Sequence, residues 1–427
     1  MGNMARAISV SPLPSPTNVW KKRLTGLKHG AGSNLHKELL IAKKSSSAHS
    51  TYPLPERAVL VSVEVTGAHN NWSLDDSIEE LALLTATAGA KVVGAVVQHR
   101  WHRTPAHYLG RGKVEELAAL KEKLGYNVVI VDDELSPTQQ RNLEEALGVK
   151  IIDRTALILD IFAKRARTRE GRLQVELAQH KYLLPRLAGQ WSHLERLGGG
   201  IGTRGPGETQ IETDRRIIRK KIHKLQEDLE GVRKHRALYR RQRTAQGIPV
   251  VAIVGYTNSG KSTLLNALSD ANVFVEDKLF ATLDPTTKRI SSPERRQFLL
   301  TDTVGFIQKL PTSVVAAFRA TLEELEGADL LLHVIDITHH NAVGQSETVE
   351  KILDDLGLGE KPRIAVLNKL DILAPSEEAM TSFGDVNLKT KDAVLISAVK
   401  RWGLKSLLNR VDEAICSSGS HNTGYVT

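Results

Sequence analysis

The stretch that decides the fold of the C-terminal half is Gly255-Tyr256-Thr257-Asn258-Ser259-Gly260-Lys261-Ser262-Thr263. An apolar run, Ile248–Val254, precedes it, and a helical pattern, Leu264–Leu268, follows it. Strand, glycine loop and helix in this order are the context in which G-x-x-x-x-G-K-[ST] binds phosphate. We expect the backbone N–H groups and the helix start to face a phosphate. Lys261 can then reach the β and γ phosphates, and the Ser262 hydroxyl can ligate Mg²⁺.

Composition limits the class of protein. A chain of 427 residues predicts two or three domains, and 41% hydrophobic with 25% charged residues is typical of a globular protein. No apolar run approaches 18 residues, so we expect no membrane span. The single cysteine, Cys416, cannot form an internal disulfide, which indicates a reducing compartment. We therefore expect a cytoplasmic protein, and we expect it to be a monomer.

The positive charge is concentrated in the middle of the chain. Lys164 to Arg243 holds 21 Lys/Arg against 9 Asp/Glu, whereas Val250 to Cys416 holds 18 against 23. A solvated helix face explains most charge runs. A surplus of this size on one segment favours contact with a nucleic acid instead.

Residues 1–56 are predicted to be a basic flexible leader. They are rich in Ser and Pro and contain no acidic residue before Glu38. A basic, acid-poor, Ser-containing start also fits an organellar transit peptide, which is the alternative for localisation. Few arginines and no clear amphipathic helix make the disordered arm the preferred interpretation.

Residues 57–154 are predicted to form a small α/β domain with a parallel sheet. Strand-length apolar runs alternate with helical patterns, and this alternation is typical of a parallel sheet covered by helices. The predicted strands are Ala58–Val65, Lys91–Gln98, Val128–Val131 and Lys150–Ile152, and the predicted helices are Leu74–Ala88, Val114–Leu124 and Ser136–Leu147.

Two smaller features of this domain have more than one interpretation. Gly110-Arg111-Gly112-Lys113 precedes a predicted helix and could hold a phosphate, but a glycine-rich turn with a surface lysine explains it equally well. The nearby His99, His102 and His107 have no cysteine or paired carboxylate to complete a metal site. We interpret them, with their basic and aromatic neighbours, as a basic-aromatic loop.

Residues 155–247 are predicted to form a long antiparallel helical hairpin. Apolar positions spaced 4-3-4-3 run from Leu173 to Leu194 and again from Ile218 to Val232. Each arm of about 40 residues would span about 60 Å. Pro185 and Gly189 should bend or interrupt the first arm.

A glycine-rich loop, Gly198–Gly207, joins the two arms and is longer than closure of a hairpin requires. Its glycines allow close approach to another surface, and an arginine can grip a phosphate or stack on a base. A flexible turn is the alternative. The predicted RNA contacts in this loop are Gly200, Thr203, Arg204 and Gly205.

Residues 248–416 carry the further motifs of a guanine-nucleotide site. Asp302-Thr303-Val304-Gly305 is a D-x-x-G element, in which Asp302 backs Mg²⁺ and the Gly305 N–H meets the γ-phosphate. The candidate switch I is Phe280-Ala281-Thr282-Leu283-Asp284-Pro285-Thr286-Thr287. Thr282 is our choice for the threonine that ligates Mg²⁺, ahead of Thr286 and Thr287. We assign catalytic roles to Lys261, Thr282 and Gly305.

The base-recognition motifs lie further downstream. Asn368-Lys369-Leu370-Asp371 follows a predicted strand, and the Asp371 carboxylate can accept two hydrogen bonds that guanine offers and adenine does not. Ser397-Ala398-Val399 can place a backbone N–H at the guanine O6. These motifs predict a P-loop GTPase domain that binds GTP and GDP and ends near Cys416, with residues 417–427 as a flexible tail.

One position departs from the common GTPase pattern. After the D-x-x-G element many GTPases place a glutamine that orients the attacking water, and this chain has Phe306. Because a phenyl ring cannot hydrogen-bond water, we expect slow intrinsic hydrolysis. A partner, a bound ion or a backbone group would then orient the water.

The order of motifs resembles the HflX family of GTPases, within the larger group that includes Obg and Era. The resemblance covers roughly residues 57–416 and rests on the run Asp153–Phe162, on Gly205-Pro206-Gly207-Glu208-Thr209-Gln210, and on the switch motifs Phe280–Thr287 and Asp302–Phe306. It implies a factor that binds the large ribosomal subunit and its rRNA and splits stalled ribosomes. The hairpin tip would then point into the peptidyl-transferase region.

The resemblance also implies cofactors and alternatives. Asn258 resembles the P-loop asparagine of relatives that use K⁺ as an activating ion, so K⁺ is a candidate second ion beside Mg²⁺. Some members carry another domain after the GTPase domain, whereas here we expect the polar tail Ser417–Thr427 at that place, so functions that need the extra domain are not expected. Two other functions stay open. One is a large-subunit assembly or quality-control factor that does not split ribosomes, and the other is an ATP-linked RNA remodeller that works through the N-terminal domain.

Overall fold

The computed structural model describes residues 55–66, 72–187, 206–245, 247–269, 279–311, 314, 319–379 and 393–419. Glu56–Thr427 forms one compact unit. The predicted leader up to residue 54 lies outside the described residues, as do Gly189 and the predicted RNA contacts of the hairpin tip. No helix among the described residues is long and apolar enough to cross a membrane.

The N-terminal segment forms a four-stranded sheet in the order β2-β1-β3-β4, and all three described strand pairs are parallel. The predicted parallel α/β fold is therefore confirmed. Burial on both faces explains why β1 and β3 are almost continuously apolar. The elements are β1 Arg57–Val65, α1 Leu74–Ala88, β2 Lys91–Arg100, α2 Arg111–Leu124, β3 Val128–Val131, α3 Pro137–Leu147 and β4 Lys150–Asp153.

Local capping sets the ends of these helices. The Ser73 hydroxyl accepts from the Asp76 N–H at the start of α1, and Ser136 does the same for Gln139 at the start of α3. Pro137 occupies the first turn of α3, where its missing N–H has no cost. The stretch Gly110–Lys113 forms an ordinary helix start, in which the Gly110 N–H donates to Gln98 Oε1 at 2.8 Å.

The predicted hairpin differs from expectation in its first arm. Instead of one helix of about 40 residues, the chain forms α4 Arg154–Arg165 and α5 Arg169–Leu183. Thr168 caps the new helix, because its hydroxyl accepts from the Gly171 N–H at 2.9 Å. Helix α5 ends two residues before Pro185, which confirms the predicted interruption there.

The second arm is α6, Pro206–Ala245, a continuous helix of 40 residues. It begins at Pro206, so the last two residues of the predicted tip loop, Pro206 and Gly207, are helical. Leu225 is the buried centre of its predicted apolar seam. The ion pairs Lys221–Glu176 and Arg236–Glu170 run in opposite directions along α6 and α5, so the two helices are antiparallel.

The C-terminal segment forms a six-stranded sheet in the order β10-β9-β8-β5-β7-β6, in which β6 alone of the described strands is antiparallel to its neighbour. β5 lies inside this sheet, so the loop that follows it emerges at the carboxyl edge of the parallel strands. The elements are β5 Val250–Gly255, α7 Lys261–Ser269, β6 Thr286–Ser291, β7 Gln297–Asp302, α8 Arg319–Glu326, β8 Leu330–Asp336, α9 Ala342–Asp355, β9 Arg363–Asn368, β10 Ala393–Leu395 and α10 Leu404–Gly419.

The C-terminal helix is longer than predicted, and the two α/β segments are packed together. Helix α10 continues to Gly419, three residues into the predicted flexible tail. One cluster of buried apolar side chains includes residues from both sheets, from Leu60 and Ile130 of the N-terminal sheet to Val254 and Leu331 of the C-terminal one. The two α/β segments therefore share a hydrophobic core.

Candidate functional site

The glycine loop, Gly255–Thr263, follows β5 directly and leads into α7, whose first residue is Lys261. It forms one wall of a cavity, and the predicted switch I and D-x-x-G segments form the other. The cavity is lined by Thr257, Asn258, Gly260, Lys261, Ser262, Thr263, Phe280, Ala281, Thr282, Thr303 and Gly305. Predicted residues from three separate segments are thus brought together.

Two glycines are required by close packing in this cavity. Gly260 has φ +97°, and a Cβ there would overlap the Asn368 amide. A Cβ on Gly305 would lie 2.8 Å from Thr257 Cα and 2.9 Å from Lys261 Nζ. Gly305 therefore lies directly against the glycine loop, where its N–H can face the terminal phosphate.

The Lys261 ammonium is buried and donates to the Tyr256 carbonyl at 2.6 Å. Burial lowers its pKa to about 8, against the attraction of the Asp302 carboxylate and with a further lowering by Lys369. A buried cation whose hydrogen bond goes to a neutral carbonyl is well placed to attract a phosphate.

Three oxygen-bearing side chains converge beside Lys261. Ser262 Oγ donates to Asp302 Oδ2 at 2.6 Å and lies 2.7 Å from Thr282 Oγ1. Thr282 Oγ1 in turn donates to the same Asp302 oxygen at 3.0 Å. Burial raises the Asp302 pKa, and the hydrogen bond from Ser262 and the charge of Lys261 oppose this. Mg²⁺ prefers such hard oxygen ligands, so this donor set fits the ion.

The two less favoured candidates for the Mg²⁺-ligating threonine lie in a strand rather than beside Ser262 and Asp302. Thr286 and Thr287 lie in β6, and Thr287 Oγ1 is 2.9 Å from Thr301 Oγ1 of the neighbouring strand. No group of three or more His, Cys, Asp or Glu side chains among the described residues could hold another metal ion.

The base-recognition motifs meet at the opposite end of the glycine loop. Asn368 Nδ2 donates to the Ser259 carbonyl at 2.8 Å, and Asn368 Oδ1 accepts from the Ala398 N–H at 3.0 Å. Ser397 Oγ donates to Asp371 Oδ1 at 2.6 Å, which orients the carboxylate. Val399 is exposed, and Lys369 is paired with Asp336 at 2.6 Å.

Phe306 has a buried ring, and its backbone groups form hydrogen bonds with the glycine loop. The ring belongs to the shared hydrophobic core and is 7% exposed. Its N–H donates to the Gly255 carbonyl at 3.0 Å, and its carbonyl accepts from the Thr257 N–H at 2.8 Å. The segment after Gly305 is therefore bonded to the glycine loop through its backbone.

A buried polar network links this site to the N-terminal segment, and sequence reasoning missed it. The Arg154 guanidinium donates to Asp132 Oδ1 at 2.8 Å, to the Gln308 carbonyl at 3.0 Å and to Glu80. Glu80 also accepts from the hydroxyl of Tyr256 in the glycine loop. A charged residue directly after the buried strand β4 was the available signal, because a buried arginine requires acidic partners.

A second missed residue is Asp284 of switch I. Its carboxylate accepts from the N–H groups of Arg167 and Thr168, each at 2.9 Å, and from the Thr168 hydroxyl at 2.5 Å. These partners lie where α4 ends and α5 begins. No local pattern in the sequence connects positions 116 residues apart, so the contact could not be predicted.

Comparison with known proteins gives matches over most of the chain. Three family models match: "GTP-binding GTPase N-terminal" over residues 75–163, "GTP-binding GTPase Middle Region" over 165–243 and "50S ribosome-binding GTPase" over 250–369. A GTPase HflX from Caldanaerobacter subterraneus subsp. tengcongensis is 53% identical over 360 residues, which is 84% of this chain and 81% of the relative. The GTPase HflX of Escherichia coli is 43% identical over 373 residues, 87% of this chain and 86% of the relative.

The comparison with solved structures includes an archaeal protein. A GTP-binding protein from the archaeon Sulfolobus solfataricus, in complex with GDP, is 25% identical and is matched over 85% of this chain and 99% of its own length, with a TM-score of 0.41.

Proposed function

Because the chain belongs to the HflX family of GTPases, we propose that it binds the large ribosomal subunit through its helical hairpin and splits stalled or idle ribosomes. GTP hydrolysis itself follows from the family and the P-loop GTPase domain. The proposal places the protein in the cytoplasm with its ribosomes, acting as a monomer. The match of residues 250–369 to the 50S ribosome-binding GTPase model supports the choice of partner.

The basic face of α6 is the observation that carries the ribosome proposal. This helix holds 12 Lys/Arg against 6 Asp/Glu. Arg216, Lys220 and Lys224 are exposed and spaced by four residues, so they lie along one face. A rigid helix of about 60 Å with a row of cations fits the phosphate backbone of RNA.

The nucleotide site would supply the timing of this contact. Lys261 and the glycine loop would hold the phosphates, Asp371 and the Ser397–Val399 segment would select guanine, and the Gly305 N–H would sense the γ-phosphate. GTP would order the switch segments, and hydrolysis would release the factor from the ribosome. Ser262, Thr282 and Asp302 would hold Mg²⁺, which would neutralise part of the phosphate charge.

Intrinsic hydrolysis is proposed to be slow. The side chain after the D-x-x-G element is an apolar ring packed in the core, so the polar groups that this residue offers to the glycine loop are its backbone N–H and carbonyl. The attacking water would then be oriented by the ribosome, by an ion or by a backbone group. A K⁺ ion held near Asn258 is the ion that we propose for this role.

Sedimentation of intact ribosomes tests the proposal. Ribosomes incubated with the protein and a non-hydrolysable GTP analogue should separate into subunit peaks. Reversing the α6 face with Lys220→Glu and Lys224→Glu, or replacing Arg204 with Glu, should abolish splitting and leave basal GTP turnover unchanged. Lys351→Glu with Lys405→Glu is the matched control, since it makes the same charge change at exposed sites on α9 and α10.

Other outcomes separate the alternatives. Comigration with the large subunit, with intact ribosomes left unchanged, would favour an assembly or quality-control factor. ATP turnover that survives Lys261→Ala would favour the RNA remodeller. Binding that does not weaken with added salt would contradict the RNA contact, because phosphate contacts release counterions.

A further inference from the structure

Switch I is anchored to the helical hairpin on both sides of Thr282. Two residues before Thr282, the ring of Phe280 meets the ring of Phe162 in α4 edge to face, with centroids 4.8 Å apart. Two residues after it, the Asp284 carboxylate lies on the N-terminus of α5. We call residues 162–168 the α4–α5 corner.

The Asp284 anchor combines three hydrogen bonds at one helix start. Two backbone N–H groups, of Arg167 and Thr168, donate to Oδ2, and the Thr168 hydroxyl donates to Oδ1. Hydrogen bonds to a carboxylate are stronger than neutral ones, and the positive end of a helix adds to them. The same Thr168 hydroxyl accepts from the Gly171 N–H, so one cap serves both α5 and switch I.

The Phe280 anchor holds a strained backbone. Phe280 has φ +56°, a left-handed conformation that costs a residue with a bulky side chain about 1 kcal/mol or more. Both rings of the Phe162–Phe280 pair are essentially fully buried. The aromatic contact with α4 therefore offsets strain that would otherwise favour another conformation of switch I.

These two anchors leave Thr282 at the proposed metal site. Its hydroxyl lies 2.7 Å from Ser262 Oγ and 3.0 Å from Asp302 Oδ2. Since the segment from 280 to 284 is only five residues long, fixing both of its ends restricts the position of its centre.

We propose that Asp284 is a positioning residue for GTP hydrolysis, which holds Thr282 at the metal site by fixing switch I to the α4–α5 corner. The inference rests on the GTPase activity and is independent of the ribosome. It also gives the hairpin a physical route to the catalytic site, because α5 is packed against α6 and the two residues directly before α5 carry the anchor.

The proposal predicts a specific kinetic effect. Releasing Asp284 should let Thr282 leave the metal site, so kcat for GTP should fall about tenfold and the Mg²⁺ concentration for half-maximal turnover should rise. GDP affinity should stay unchanged, because the γ-phosphate is absent from GDP and the guanine and β-phosphate contacts lie elsewhere.

Gly171→Ala is the sharpest test, because it acts from outside the GTPase domain. A Cβ on Gly171 would lie under 3.0 Å from Asp284 Oδ1, so the carboxylate must move. A Cβ on Gly231 in α6 meets nothing within 4 Å, which makes Gly231→Ala the matched control. Alanine favours a helix over glycine at both positions, so helix propensity by itself lowers the thermal midpoint of neither variant.

We expect Gly171→Ala to show the kinetic effect and Gly231→Ala to behave as the unchanged protein. Turnover of Gly171→Ala equal to that of Gly231→Ala would overturn the proposal. An equal loss of GDP affinity would also overturn it, because that result indicates a general disturbance of the site.

A second pair of variants covers the case in which Gly171→Ala unfolds. Thr168→Val removes the hydroxyl that donates to Asp284, and Thr168→Ser restores it in nearly the same place. We expect the loss of kcat in Thr168→Val and its rescue in Thr168→Ser. Equal kcat in these two variants would contradict the proposal. All measurements are made without ribosomes, so their failure leaves the splitting proposal intact, and failure of splitting leaves the role of Asp284 intact.

Discussion

At Phe306 the ring and the backbone have separate roles. The ring fills part of the hydrophobic core, and the N–H and carbonyl groups bond to the glycine loop. Truncation to alanine would leave a cavity and cost about 3–5 kcal/mol of folding free energy. Lost activity in that variant would report on packing rather than on the orientation of water.

Asn258 carries the prediction for a monovalent ion. It has φ +61° and is exposed within the glycine loop. At equal ionic strength we expect basal GTP turnover to be several-fold faster in K⁺ than in Na⁺. Asn258→Gly removes the side-chain oxygen without straining this backbone and should abolish the difference, whereas Asn258→Asp keeps an oxygen and should preserve it. Equal turnover of the unchanged protein in the two salts would contradict an activating K⁺ site.

At the scale of elements, the broken first arm is the main departure from expectation. The apolar periodicity beyond Leu173 continues without a gap, so it indicated one long helix. The break occurs before that periodicity begins, where Thr168 caps a new helix and receives a contact from switch I. The break therefore creates the corner that meets the nucleotide site.

Helix α4 begins with the residue that supports the second element-scale prediction. Arg154 is 1% exposed and is bonded to Glu80 and Asp132, which are also buried. Arg154→Met leaves the buried Glu80 carboxylate without its guanidinium partner and removes one of the two cations beside Asp132, which also pairs with Lys309. It should cost about 3–5 kcal/mol of unfolding free energy in a denaturant titration.

An exposed ion pair provides the matched comparison. Arg111 and Glu115 have side chains that are 95% and 68% exposed, so Arg111→Met should cost less than about 1 kcal/mol. Equal stability of the two methionine variants would show that the buried network contributes nothing measurable.

At the scale of the whole molecule, the N-terminal segment contacts both the glycine loop and the segment that follows Gly305. Trp72 stacks on Tyr256 of the glycine loop with ring centroids 5.6 Å apart. Lys309, three residues after Phe306, pairs with Asp132 and, at 3.3 Å, with Asp133. A change in the segment after Gly305 must therefore be accommodated by the N-terminal sheet as well as by the hairpin.

A further contact of the N-terminal segment, with the residues directly before α9, is predicted to depend on pH. His340 donates to Asp76 of α1, and Asn341 Nδ2 donates to the same carboxylate at 3.1 Å. The hydrogen bond with Asp76 raises the His340 pKa above its ordinary 6.5, with burial opposing and with added attraction from Asp76 and Glu79. The Asp76 pKa is lowered: burial raises it, but the hydrogen bonds from His340 and Ser73 outweigh this.

The raised pKa of His340 determines how folding stability changes with pH. The stabilisation by His340 is complete below pH 6.5 and is lost as the pH rises through the higher folded-state pKa. His340→Gln should therefore lower the thermal midpoint at pH 6 by up to about 2 °C, and the difference should disappear at pH 9. Stacking on His339, whose own pKa is lowered first by burial and then by His340, accompanies this contact.

A double-mutant cycle checks that the effect belongs to the pair. Asp76→Asn should remove the same pH dependence, and adding His340→Gln to it should change the midpoint no further. A midpoint difference for His340→Gln that is the same at both pH values would exclude the ion pair as its cause.

The sequence by itself determined the identity of the site and the class of fold. The glycine loop, Asp302 and Asp371 each belong to short contiguous motifs, and strands and helices follow local periodicities, so neither requires knowledge of distant contacts. Only the tertiary structure decided which surfaces the switch segments touch. The Asp284 anchor on Thr168 and the bond from Arg154 to Gln308 join positions more than 100 residues apart. Their partners depend on how the hairpin and both sheets pack into one core, and local sequence patterns do not encode that packing.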